Sequence, residues 1–509
     1  MNTRDATRRF LHSSGAAIFS QAWRVVVTFG TMMVLKRMIP AADWGLWNWA
    51  LPLFLILGAL RDLGLVFHVV RVKSRPYANL LAVELVWGGL LVGLTYLGAP
   101  LMARAYSDPH PDIVSVLRLL TLFLFFEGLS TVPRVYFEGE LKIGRAVAPE
   151  LTRNLAMAAT AIGLAVAGYG LWSLVIAQVA SAGLYALMLW WRAWGEIPLD
   201  YQHGETWRLI RESLPLASIW FLTILVRHLD PLILGWRYEG EVVGNYVFAY
   251  ENAFRVSEIV FPAVARSLYP ALVAFKEEVH RLFGAFSLTT LFLQAVEVPV
   301  AYFLFLNAEL TLLILGGSQW VAAPTFLKIL CFAPLVDPFT RLGGEVLKVK
   351  HRDGYWILCT LVTMLTFLVG GIILTSIMGP IGMAWINLVP LGGLLMARAL
   401  YQIDPDGLRE LVRKLLYVYL IPIPLFTAVA LTTDEATPLR FALSLIAIAL
   451  SLGLVFRKYG KDFVAFFREY TMLTQYMENS CGTFLGDTVT GQAREVASML
   501  ACHSREEQD

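Results

Sequence analysis

The chain has 509 residues, 57% of them hydrophobic and 16% charged, with a formal net charge of +2. That apolar share exceeds the roughly 45–50% of soluble domains, and with a mean hydropathy of +0.62 it excludes a large soluble domain and predicts an all-α polytopic membrane protein. The near-neutral total names no partner and gives no reason to expect nucleic acid; what carries information in such a chain is where the lysines and arginines fall.

In chain order, Arg4, Arg8 and Arg9 precede a long apolar stretch without a small-residue cleavage site, which predicts an uncleaved first span after a cytoplasmic N-terminus, 1–12. At about 20 apolar residues per crossing, the spans read as 13–35, 44–70, 79–103, 113–136, 147–167, 170–191, 213–236, 242–272, 283–306, 322–347, 354–376, 379–401, 411–431 and 438–456. The basic residues Arg71, Lys73, Arg75, Lys142, Arg145, Arg208, Arg211, Lys348, Lys350, Arg352, Arg409, Arg413 and Lys414 then fall on the side of the N-terminus. The opposite loops hold mainly Lys36, Arg37, Arg104, Arg237 and Arg440, so the positive-inside rule predicts both termini in the cytoplasm. Residues 457–509 read as a cytoplasmic tail carrying at most a weak amphipathic helix. Cys331, Cys359, Cys481 and Cys502 have neither metal-ligand nor disulfide spacing, and no metal or cofactor is expected.

An internal repeat overlies these spans. Gly45-Leu46-Trp47-Asn48-Trp49-Ala50 and Gly244-Asn245-Tyr246-Val247-Phe248-Ala249 share the pattern Gly-x-aromatic-x-aromatic-Ala. Each follows a short loop with a basic residue, Arg37 or Arg237, and a span with a central arginine, Arg24 or Arg227. A weaker echo pairs Gly139-Glu140-Leu141-Lys142 with Gly344-Glu345-Val346-Leu347-Lys348. The repeat predicts two parallel six-helix halves, 13–191 and 213–401, joined by a cytoplasmic linker, 192–212, and followed by two additional helices, 411–456. Substrate sites in transporters so built lie between the halves near mid-membrane.

The stretches Ala42-Asp43-Trp44-Gly45-Leu46-Trp47 through Leu60-Arg61-Asp62-Leu63-Gly64-Leu65, then Gly139-Glu140-Leu141-Lys142 and Gly168-Tyr169-Gly170-Leu171-Trp172-Ser173, resemble the second-span and fourth-to-sixth-span regions of bacterial polysaccharide and O-antigen flippases of the multidrug/oligosaccharidyl-lipid/polysaccharide exporter superfamily. The motifs lie in the first 190 or so residues; the span pattern extends the likeness to about residue 455. The resemblance implies two six-helix bundles forming a V, two further C-terminal helices, and flipping of undecaprenyl-diphosphate-linked sugar units across the bacterial inner membrane. It also brings in a polysaccharide polymerase and a chain-length regulator as partners. A cation-coupled drug antiporter of the same superfamily is the alternative.

Arginine at mid-membrane costs about 2.5–3.5 kcal/mol on insertion scales, which marks it as functional, and its planar fork suits a diphosphate. Arg24, Arg61, Arg227 and Arg255 are therefore the candidate cavity cations. The expected counter-charges are Asp230 at i+3 from Arg227, and Glu251 and Glu258 at i−4 and i+3 from Arg255. Asp337 reads as half of a pair with Arg341. Asp230 and Asp337 are candidate coupling carboxylates for H+ or Na+, while Glu84, Glu127 and Glu297 stand singly in their spans. Trp44, Trp47 and Trp49 read as an interfacial belt. No phosphate-cradling GxxxxGK[ST] loop is present and every loop is short, so no enzymic activity is expected.

Overall fold

The computed structural model describes residues 23–66, 69, 76–140, 142 and 144–481, and these contain helices and turns but no strand. Because hydrocarbon offers backbone groups no partner, helices that satisfy them internally are the form a chain this apolar adopts. The helices are α1 (23–38), α2 (Ala41–Asp62), α3 (Tyr77–Ala103), α4 (Ile113–Gly139), α5 (Gly144–Val166), α6 (Leu171–Ala193), α7 (Glu205–Arg237), α8 (Gly240–Ala274) and α9 (Val279–Leu306). Then come α10 (323–349), α11 (Asp353–Met378), α12 (Ile381–Ile403), α13 (Pro405–Thr432) and α14, which runs from Pro438 to Cys481. A short helix, Ala308–Gly316, precedes α10.

Nine of these are long and apolar enough to cross a membrane by composition alone: α2, α3, α4, α6, α9, α11, α12, α13 and the first 28 residues of α14. Of the others, α5, α7 and α8 carry more polar and charged residues and α10 is broken. Helix α10 divides into Ala323–Leu330, a tight turn at Ala333–Leu335 and Asp337–Val349, where Pro334 removes a backbone donor; an unbroken span over 322–347 is thus corrected. Helix α12 likewise breaks between Ile386 and Leu391. Helix α7 starts inside the expected linker, and its 33 residues span about 50 Å. Helix α14 continues beyond Phe456, so residues 457–481 extend the last helix.

The ends of the bundle differ. We call the end carrying the α2–α3, α4–α5 and α6–α7 connections the basic end, and the other the far end. One hydrophobic core crosses the far end, joining Trp44, Trp49, Leu120 and Leu174 of the first half to Leu234, Tyr246, Phe248, Leu327 and Met383 of the second. Toward the basic end it splits. One cluster, with Tyr77, Leu80, Val135 and Leu189, holds the first half together with Leu209 from the start of α7; another, with Leu268, Phe286, Leu347 and Leu400, holds the second half with α13 and α14.

The joint is a small-residue crossing. Ala41 and Gly45 on α2 face Gly240 and Gly244 on α8: a Cβ at Gly45 would lie 1.8 Å from the Gly240 carbonyl oxygen, and one at Gly244 would lie 2.3 Å from that of Ala41. Helix spacing of four places both small residues of each pair on one face, so the backbones touch. The repeated glycines are therefore the contact between the halves. Loop hydrogen bonds close the same end, from Ser107 N to Gly235 O (2.8 Å) and from Gly240 N to Asp108 Oδ2 (3.0 Å). At the basic end, the linker is tied to α3 by Asn79 Nδ2, which donates to Gln202 O and Thr206 Oγ1, both at 2.8 Å.

Candidate functional site

Between the halves, on the α1–α8 side, lies a pocket lined by Phe29, Met32, Lys36, Glu251, Asn252 and Arg255 among others. Two sites expected from sequence, Arg255 and Glu251, meet there at 3.8 Å. Their third member is Lys36, which the sequence reading placed in an outer loop. Its ammonium is instead buried, 3.5 Å from Glu251 Oε2 and over the rings of Trp44 (4.2 Å), Phe248 (4.9 Å) and Trp320 (5.0 Å). Arg255 also lies over the Phe29 ring. Lysine next to a second basic residue at a span end looks like an anchor, and nothing in sequence distance links residue 36 to residue 251.

Toward the basic end, Arg227 on α7 pairs with Glu258 on α8, with both side chains partly exposed. The expected local pair of Arg227 with Asp230 is corrected, because Asp230 faces the interior of the second half. Its Oδ2 accepts hydrogen bonds from the Tyr246 hydroxyl and from Asn387 Nδ2 (2.9 Å), and Asn387 sits in the α12 break. Asp230 Oδ1 is buried without a hydrogen-bond partner among the described residues. Arg24 is exposed on the part of α1 toward the basic end, and no residue from Trp23 to Gly30 is buried.

Arg61 lies elsewhere. Its Nε is 3.0 Å from Glu84 Oε2 and its Nη1 donates to Leu124 O at 2.7 Å, inside the first half. Gly88 and Gly128 make the slot: a Cβ at either would come within 3.3 Å of the Arg61 side chain. Glu84 opens a π-helical turn, Glu84–Gly88, a wide turn of the kind that re-aims side chains. Glu127, read as solitary, pairs with Arg153 on α5. Glu297 lies 3.3 Å from Gln294, whose Oε1 accepts from the Tyr419 hydroxyl. The tryptophans are corrected too: Trp44, Trp47 and Trp49 are all at least 97% buried at the joint between the halves. The side chains of Asp337 and Arg341 lie outside the described residues.

Outside the spans, Glu196 takes hydrogen bonds from Arg145 and Lys142 (3.0 Å) that pull its carboxyl down to about 2, tying the α4–α5 connection to the end of α6. No group of three or more His, Cys, Asp or Glu among the described residues is placed to hold a metal.

The arrangement is thus a charged seam between two halves, cationic on α1, α7 and α8, with carboxylates on α8 in partial neutralisation. The chain as a whole is similar to several known proteins. The family described as polysaccharide biosynthesis protein matches residues 34–324. The succinoglycan biosynthesis transport protein ExoT of Rhizobium meliloti (strain 1021) is 23% identical over 347 residues, 65% of this chain and 67% of that protein. Among solved structures, the lipid II flippase MurJ in an inward closed conformation superimposes with a TM-score of 0.70 at 13% identity, covering 89% of this chain and all of that one. An inward-facing multidrug resistance MATE family transporter gives 0.60 at 15% identity, over 77% and 96% of the two chains.

Proposed function

Because this chain belongs to the polysaccharide biosynthesis protein family, a family of membrane transporters in the multidrug/oligosaccharidyl-lipid/polysaccharide superfamily, we propose that it flips undecaprenyl-diphosphate-linked oligosaccharide units across the bacterial inner membrane. The basic end faces the cytoplasm, with both termini, and the halves rock about the α2–α8 joint. A polysaccharide polymerase would take the product.

The observation that carries this reading is the forked core, continuous at the far end and divided at the basic end, with Arg24, Arg227 and Arg255 on the helices flanking the fork. A lipid diphosphate needs cations for its phosphates, water for its sugars and a lipid-side opening for its tail. Residues 23–30 of α1, none of them buried and next to α8, supply a place for that opening. Arg61 belongs to the positioning of α2, α3 and α4. Asp230 is the proposed coupling carboxylate for H+ or Na+, since it has a buried oxygen to spare.

A cation-coupled drug antiporter is the second reading, favoured by the buried Asp230. The two separate on arginine. Replacing Arg24 or Arg255 with Ala removes a charge-assisted contact worth about 1.5–3 kcal/mol, so transport of a polyprenyl diphosphate sugar should fall roughly 10- to 100-fold. Lys should restore part of it. Full flipping by both Ala variants at normal protein level would sink the cationic-seam mechanism.

A further inference from the structure

The buried Lys36 has chemistry that the cavity cations do not explain. Among the described residues its ammonium has no close hydrogen-bond acceptor, and three rings, from α2, α8 and the segment before α10, surround it. Aromatic faces attract a cation, most strongly when water is excluded. The backbone is held as well, since Trp320 Nε1 donates to Lys36 O at 3.1 Å and Gln319 Nε2 donates to Ile39 O at 3.0 Å. The end of α1, a first-half helix, is thereby latched into second-half residues at the far-end joint. One anion neutralises this cation: Glu251, which is shared with Arg255 and is about a third exposed to the pocket.

Both ion pairs are loose, at 3.5 and 3.8 Å, where a well-made charge-assisted contact is about 2.7–2.9 Å. The carboxylate therefore occupies, without filling, a position between two cations that fits a larger and more highly charged anion. Taking the transport reading as given, we propose that Glu251 stands in for a substrate phosphate, and that Lys36 is a further cation of the transport path, held in the closed far-end joint until a diphosphate displaces Glu251 and draws it out. A ligand shifts a two-state equilibrium only by its differential affinity for the two states. Here the difference is specific: at the position Glu251 holds, the closed state offers phosphate one cation, Arg255, and the state with Lys36 withdrawn from its rings offers two. Substrate binding and opening of the far end are thereby the same event, and an empty carrier stays shut.

The test is the distance across the far end in the purified full-length protein in nanodiscs, its four native cysteines replaced. Spin labels at the exposed Ala105 and Val321 report the separation of the halves. The probe is farnesyl diphosphate, with farnesol as control. In the parent protein the diphosphate should shift the distribution to longer distances and farnesol should not. Glu251→Gln should give the longer distances without any ligand. Lys36→Met, which fills the ring cage with an uncharged chain, should stay short with or without diphosphate, and Lys36→Met with Glu251→Gln should return to the short distance, which a misfolded Glu251→Gln protein would not do. A Glu251→Gln protein that stays closed and still responds to diphosphate overturns the proposal, as does a Lys36→Met protein that opens normally. A parent protein that ignores the diphosphate, together with full flipping by Arg255→Ala, overturns the transport reading itself.

Discussion

Gly45 shows what a single residue decides. A side chain there meets the Gly240 carbonyl at under 2 Å, and backbone cannot rotate away as a flexible side chain can. Gly45→Val should force α2 from α8, lowering the amount of protein in the membrane and its melting temperature. Gly30→Ala is the control, because a Cβ there meets nothing within 4 Å; it should be neutral or raise stability by up to about 1 kcal/mol through helix propensity. Equal loss in both would show that the crossing is not the joint. The Arg61–Glu84 pair makes a second residue-scale case. Removing one partner strands a buried charge, at a cost of about 3–5 kcal/mol, whereas replacing both by apolar residues of similar volume is often near neutral. Glu84→Ala should therefore destabilise strongly, and Arg61→Met with Glu84→Leu should recover thermal stability. If the double variant is stable but transports nothing, Arg61 has a part in the path after all.

At the scale of elements, the loop assignments predict labelling. Single cysteines at Ser107 and His203, both exposed, lie at opposite ends of the bundle. An impermeant thiol reagent applied to intact cells should reach the first and spare the second; the reverse pattern would turn the molecule over. The tie between the α4–α5 connection and α6 has a defined pH window. Glu196 is depressed to about 2 from an ordinary value near 4.3. Its contribution is therefore fully present above the ordinary value and is lost as pH falls through about 2. Because the group is partly exposed, the effect is small: Glu196→Gln should shift the melting temperature slightly at pH 7, and a pH 2 comparison should show the difference shrinking. A shift that grows on acidification would contradict the assigned sign.

For the whole molecule, residues 475–509 have too little apolar content to form a further span and lie outside every expected one. A stop codon after Gln475 should leave surface polysaccharide largely intact at normal protein levels; its loss with the truncated protein present would give the tail a part in transport or in partner binding.

What the sequence determined by itself is what short-range physics writes into composition and period. Apolar runs of about 20 residues separated by short loops fix helices across a membrane, and the lysines and arginines of those loops predict the orientation. The recurring Gly-x-aromatic-x-aromatic-Ala pattern predicted two related halves, and its glycines, Gly45 and Gly244, lie at the α2–α8 crossing. The i, i+4 spacing of Glu251 and Arg255 likewise needed only the helical repeat. Tertiary structure decided every partnership between distant residues. Arg61 met Glu84, Arg227 met Glu258 in place of its neighbour Asp230, and Lys36 moved from an apparent loop into a ring of three aromatics. The tryptophans read as a belt became the joint itself. In hydrocarbon a charge takes whichever counter-charge the packing of helices brings within a few ångströms, and that packing is set by the meeting of small residues such as Gly45 and Gly240, nearly 200 positions apart along the chain.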